Sequence, residues 1–145
     1  MSTLAPLSDD EAWVRYKRLL SRSSTNTSAD AKLPGNLPHR ISLTCGFDYV
    51  PPAEFMNCLR TWLVKRGALR VFYFITETAD GTMPTDFAIP VSELTSENLC
   101  RINPGAESVM VAQDFTWAIF VDHEGRVHAA GPKDLMAAIV SACSE

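Results

Sequence analysis

No stretch of this 145-residue sequence approaches the roughly 18 consecutive apolar residues that a membrane helix needs. Its first residues, MSTLAPLSDDEAW, lack a basic stretch followed by an apolar run, so no secretory signal is expected and the protein reads as cytoplasmic. There is no glycine-rich phosphate loop, dinucleotide fingerprint, HExxH helix or GxSxG elbow. Nucleotide-dependent, zincin and hydrolase-elbow chemistries therefore find no motif here, and no cofactor is expected. The four cysteines, Cys45, Cys58, Cys100 and Cys143, contain no CxxC pair. Scattered thiols in a chain without a signal are expected to stay reduced as small buried hydrophobes.

What is present is ordinary globular material. Apolar residues make up 46% and charged residues 21%, enough for one core in one domain spanning 1–145. The net charge of −4 is unevenly spread. Residues 1–66 carry +3 and residues 67–145 carry −7. An acidic surface repels phosphate backbones and attracts basic proteins, so a protein partner is expected before a nucleic acid. The competing reading is a solvated acidic face that only aids solubility.

The chain then reads as alternating elements. Ser8 and Glu11 form a capping box before a helix whose apolar stripe is Trp13, Tyr16, Leu19 and Leu20. Residues 21–38 are polar and aperiodic, a flexible linker between that helix and the main body. Arg40–Cys45 alternates as a half-buried strand. Pro51–Glu54 opens a helix with Phe55, Met56, Leu59, Trp62 and Leu63 on one face and Gly67 as its left-handed cap. Leu69–Thr76, Asp86–Ile89, Ser108–Ala112, Phe115–Asp122 and Arg126–Ala130 read as strands. Of these, 69–76 and 115–122 are apolar on both faces and so central. Ser92–Leu99 is ambiguous, with a short helix one option. Gly131–Asp134 starts a last helix that buries Leu135, Met136, Ile139, Val140 and Cys143. The expected fold is α+β: one antiparallel sheet with helices packed mainly on one face.

Three groups of residues have the types that catalysis or binding would use. Asp122, His123, Glu124 and His128 surround a turn and could hold a divalent metal, but no recognised ligand spacing is present and no metal is expected. Cys45 could be a nucleophile with His123 or His128 as base, against the plainer reading of a buried cysteine. The carboxylates Asp80, Asp86, Asp114, Asp122 and Glu124 fall at turns and strand ends, where turn chemistry explains at least Asp80 and Asp114.

The segment Asp114-Phe115-Thr116-Trp117-Ala118-Ile119, followed by Asp122-His123-Glu124-Gly125 and His128-Ala129-Ala130-Gly131, resembles a pattern of small bacterial immunity-type proteins. Those are antidotes to polymorphic or contact-delivered toxins. The resemblance covers residues 69–140 and implies a non-enzymatic inhibitor that occludes a cognate, basic toxin. Binding is expected at Asp122, His123 and Glu124, with Asp80 and Asp114 at the other end of the sheet. As rim charges, Asp122 and Glu124 are expected to tolerate reversal to lysine with little loss of stability. The alternative is a small enzyme or ligand-binding domain whose site draws on Tyr73, Cys45 and His128.

Overall fold

A computed structural model describes residues 33, 37–45, 49–75, 86–103, 105–122 and 124–143. The expected N-terminal helix and most of the 21–38 stretch lie outside them. Six strands form one antiparallel sheet: β1 (Arg40–Thr44), β2 (Arg70–Ile75), β3 (Asp86–Pro90), β4 (Ser108–Ala112), β5 (Ala118–Val121) and β6 (Arg126–Ala130). Their order across the sheet is β1-β6-β5-β4-β2-β3. Among the described residues three α-helices accompany them: α1 (Ala53–Lys65), α2 (Ser96–Ile102) and α3 (Lys133–Cys143). The fold is α+β, as the alternation of strand and helix periods implied.

The local signals explain most boundaries. Pro52 stands extended at the N-cap of α1 and Glu54 lies in the first turn. At the other end Gly67 has φ 70°, and the amide of Ala68 reaches back to the Leu63 carbonyl at 3.1 Å. That left-handed closure satisfies carbonyls the helix leaves open. The ambiguous 92–99 stretch divides into a 3-10 turn, Val91–Glu93, and α2. There the Thr95 hydroxyl accepts from the amide of Asn98 at 3.1 Å, a side-chain N-cap. β5 is shorter than its apolar run because Phe115 takes φ 61° in the turn after Asp114, which delays the strand to Ala118.

The sheet has two packed faces. One carries Val71, Tyr73, Ile89, Met110, Ile119, Val127 and Ala129, covered by Phe55, Met56, Leu59 and Leu63 of α1 and Leu135, Met136 and Ile139 of α3. Val140, expected among them, is 39% exposed. The opposite face holds a second cluster, with Phe74, Val109, Val111, Phe115, Ala118, Phe120 and Ala130. Leu33 and Leu37, both from the stretch read as a linker, belong to it and are buried.

The cysteines correct an expectation. Cys45, just past β1, is bonded to Cys143 at the end of α3, with their Cα atoms 5.2 Å apart. Only Cys58 and Cys100 are free. Sequence spacing could not show the pairing, because 98 positions separate the partners and only the fold brings β1 against α3. Cys45 as a catalytic thiolate is excluded in this state.

Candidate functional site

The ladder between β1 and β6 sets Ser42 opposite His128. The amide of Asp122 donates to the Arg126 carbonyl at 3.1 Å, and this fixes which residues of β6 bond toward β5. His128, two residues on, also bonds toward β5, so Ser42 and His128 form a pair not bonded through backbone. Side chains approach most closely in such pairs. The Ser42 hydroxyl stands 2.8 Å from Nδ1 of His128. On the other side of the ring, Nε2 lies 2.9 Å from Oδ2 of Asp122.

Asp122 is therefore not the exposed rim charge expected from a hairpin tip. It is 5% exposed, and its carboxylate is held by its own chain. Oδ1 accepts from the amides of Glu124 at 2.9 Å and Arg126 at 3.0 Å, while the Arg126 Nε donates to Oδ2 at 3.0 Å. Burial pushes the carboxyl pKa up, but the hydrogen bonds from His128, the two amides and the guanidinium outweigh it and hold it at about 2. The carboxylate is thus ionised and acceptor-only. Reversal of Asp122 to lysine would bury an unpaired cation against Arg126, so that change costs stability rather than leaving it nearly unchanged. Glu124 is exposed and paired with Arg126 at 2.6 Å.

The other sequence candidates are dispersed. Asp114 lies in the β4–β5 turn, where it accepts from the Thr116 amide at 3.2 Å and hydroxyl at 2.6 Å. It sits at the end of the sheet opposite Asp122, as the hairpin order implied. Asp80 and His123 lie outside the described residues. The strand ends bracketing Asp80, Ile75 and Asp86, fall beside Ser108 and therefore at the Asp122 end, not the Asp114 end. Among the described residues no three His, Cys, Asp or Glu side chains converge to hold a metal ion. Tyr73 faces the helices, and burial raises its hydroxyl pKa against hydrogen bonds from Ser108 and Asn103. His128 lies on the opposite face of the sheet, and Cys45 is in a disulfide, so the three do not form one site.

The Asp114 end carries a feature the sequence did not announce. A cleft of about 370 Å³ opens between the end of α1, the start of β2 and the β4–β5 turn. Trp62 and Trp117 meet edge to face across it, centroids 6.4 Å apart. The Arg66 guanidinium lies 4.4 Å over the Trp62 ring. Asp134 at the start of α3 holds both, accepting from the Trp62 indole at 3.1 Å and pairing with Arg66. Its pKa is lowered first by the indole hydrogen bond and then by Arg66. Leu69 and Arg70 lie on the rim, and Leu69 is 78% exposed. Helical spacing put Trp62 on the buried face of α1; only the fold shows that it is half exposed beside a second tryptophan.

At least four of the eleven acidic residues after position 66 are paired within the chain. Asp122 and Glu124 are bound to Arg126, Glu97 to Arg101, and Asp134 to Arg66. Comparison with protein-family models, with curated proteins and with solved structures finds no match to this chain.

Proposed function

We propose that this chain is a protein-binding inhibitor of the immunity type, which neutralises a cognate bacterial toxin by occluding it through the Asp114 end of the sheet. One observation carries the choice of surface. The cleft there combines a half-exposed tryptophan, Arg66, Arg70 and the exposed Leu69, the residue types that dominate protein interfaces energetically or frame them. Val64, 66% exposed on the last turn of α1, extends the apolar rim. By contrast Asp122, the centre of the surface favoured from sequence, is consumed by its own fold.

The partner that fits is a protein segment presenting an apolar side chain to the cleft beside a carboxylate that meets Arg70. This replaces the expectation of a basic partner as the main attraction. A cytoplasmic location belongs to the proposal only if the Cys45–Cys143 pair is reduced in cells, since cytosolic thiols are normally kept so. Alkylation at lysis reads that directly. Among the described residues no helix is long and apolar enough to cross a membrane.

The test is titration against the product of a toxin-like reading frame adjacent to this gene. Leu69→Glu should weaken binding about tenfold or more, the equivalent of about 1.4 kcal/mol, without lowering the melting temperature. Unchanged affinity in that variant would remove the cleft from the proposal. No binding at all by the wild-type protein would remove the inhibitor reading.

A further inference from the structure

The relay Ser42–His128–Asp122 is more than the partner-binding reading requires, and it lies away from the cleft. We propose that it is a serine-centred acyl-transfer site, with Ser42 as nucleophile, that hydrolyses carboxylic esters reaching it from solvent. A nucleophilic serine needs a base in contact and a third group that orients the base. Both are present here: the hydroxyl is 2.8 Å from Nδ1, and Nε2 is 2.9 Å from the Asp122 carboxylate.

The direction of the relay follows from the chemistry of its far end. An ionised carboxylate can only accept, so Nε2 carries a proton; when the ring holds that proton alone, Nδ1 is the nitrogen with the lone pair. That lone pair faces the Ser42 hydroxyl, which is the tautomer a general base requires. Three further donors on Asp122, the amides of Glu124 and Arg126 and the Arg126 guanidinium, fix the carboxylate itself. The Phe120 ring lies along the imidazole at 27° with centroids 5.9 Å apart, so the base is walled by an apolar surface. His128 is buried while Ser42 on the outer strand is exposed, which leaves the nucleophile accessible and its base shielded. Because Ser42 and His128 are not bonded through backbone, the Ser42 amide points away from β6 toward the outer edge. Among the described residues it is a donor available to a developing oxyanion.

The reaction balances without a cofactor. Ser42 Oγ attacks the ester carbonyl carbon while its proton passes to Nδ1 of His128. The bond to the alkoxy oxygen breaks, and His128 returns the proton to that leaving group, releasing alcohol and leaving acyl-Ser42. Water then attacks the acyl carbon and gives its proton to Nδ1. The Ser42–acyl bond breaks, the proton returns to Oγ, and a carboxylic acid leaves. Ser42 and His128 are the catalytic residues; Asp122 is a positioning residue that acts through His128.

The test needs no partner protein, so it stands or falls apart from the inhibitor reading. The full chain is incubated with a fluorophosphonate probe and, separately, with p-nitrophenyl acetate. One probe adduct per chain is expected, located at Ser42 by peptide mass, together with ester turnover above Ser42→Ala. His128→Gln should slow both by about 100-fold or more, the usual contribution of a positioned base. Circular dichroism and melting confirm that the variants are folded. For Asp122→Asn, the ¹⁵N shifts of His128, assigned by their loss in His128→Gln, should leave the Nε2–H tautomer pattern, a change that altered stability alone does not produce. No adduct above Ser42→Ala, an adduct at another residue, or full reactivity in His128→Gln overturns the proposal.

Discussion

Asp122 shows how one residue's environment reverses its meaning. Read as a turn carboxylate beside a histidine, it is a surface charge; folded, it is 5% exposed and accepts four hydrogen bonds. Its pKa is about 2 in the fold against an ordinary 3.8. A carboxyl whose folded pKa is depressed contributes stability fully above its unfolded value and loses it as pH falls through the folded one. The window is therefore from about pH 4 down to about pH 2, and the shift corresponds to about 2 kcal/mol. Urea unfolding across that window should show the wild-type protein losing about 2 kcal/mol more than Asp122→Asn, which carries no titratable group there. Parallel acid limbs in the two proteins would mean that Asp122 is not held ionised by its partners.

Among the elements, Gly131 at the junction of β6 and α3 has the tightest constraint. Its φ is 151°, and a Cβ there would fall 2.5 Å from Cβ and 3.1 Å from Cα of Trp117. The second of those atoms is backbone, so the β4–β5 turn would have to move as a unit. Gly131→Ala should cost about 1–3 kcal/mol, the usual range for overpacking, with an unchanged dependence on urea concentration. An unchanged midpoint would show that the turn gives way freely. The sequence placed Gly131 correctly before a helix start, because Gly-Pro followed by polar residues is a local signal. Helix α1 was legible from Pro51 to Gly67 for the same reason, and all six strands from their composition and period. What could not be read was register and pairing. The alternation of Ile41, Ser42 and Leu43 shows that Ser42 faces away from the helices, yet nothing local joins it to His128, 86 positions on. The cleft was hidden in the same way, since Trp62 and Trp117 meet only through packing.

At the scale of the whole molecule, the Cys45–Cys143 bridge joins the outermost strand to the last helix. Among the described strands β1 pairs with β6 alone, and Ile41 and Leu43 are only half buried against the core. The edge is thus held by one ladder, a shallow apolar contact and a covalent link. Closing a loop of 98 residues restricts the unfolded chain strongly, by about 4–5 kcal/mol on the chain-entropy account, though measured effects run about 2–5. The doubly substituted Cys45→Ala, Cys143→Ala protein should lose stability in that range. Its loss should also be uneven. The amides of Ile41 and Leu43, which bond toward β6, should exchange faster with solvent in the native state, while those of β4 and β5 in the middle of the sheet keep their protection relative to global unfolding. Thiol titration of the denatured, unreduced protein should count two groups, Cys58 and Cys100. Four groups would show that the bridge does not form, and a uniform rise in exchange across the sheet would show that β1 draws no particular support from it. Ser42 lies on β1, three residues before Cys45, which follows the strand directly. Opening the bridge should therefore loosen the Ser42–His128 contact before it disturbs either packed face of the sheet.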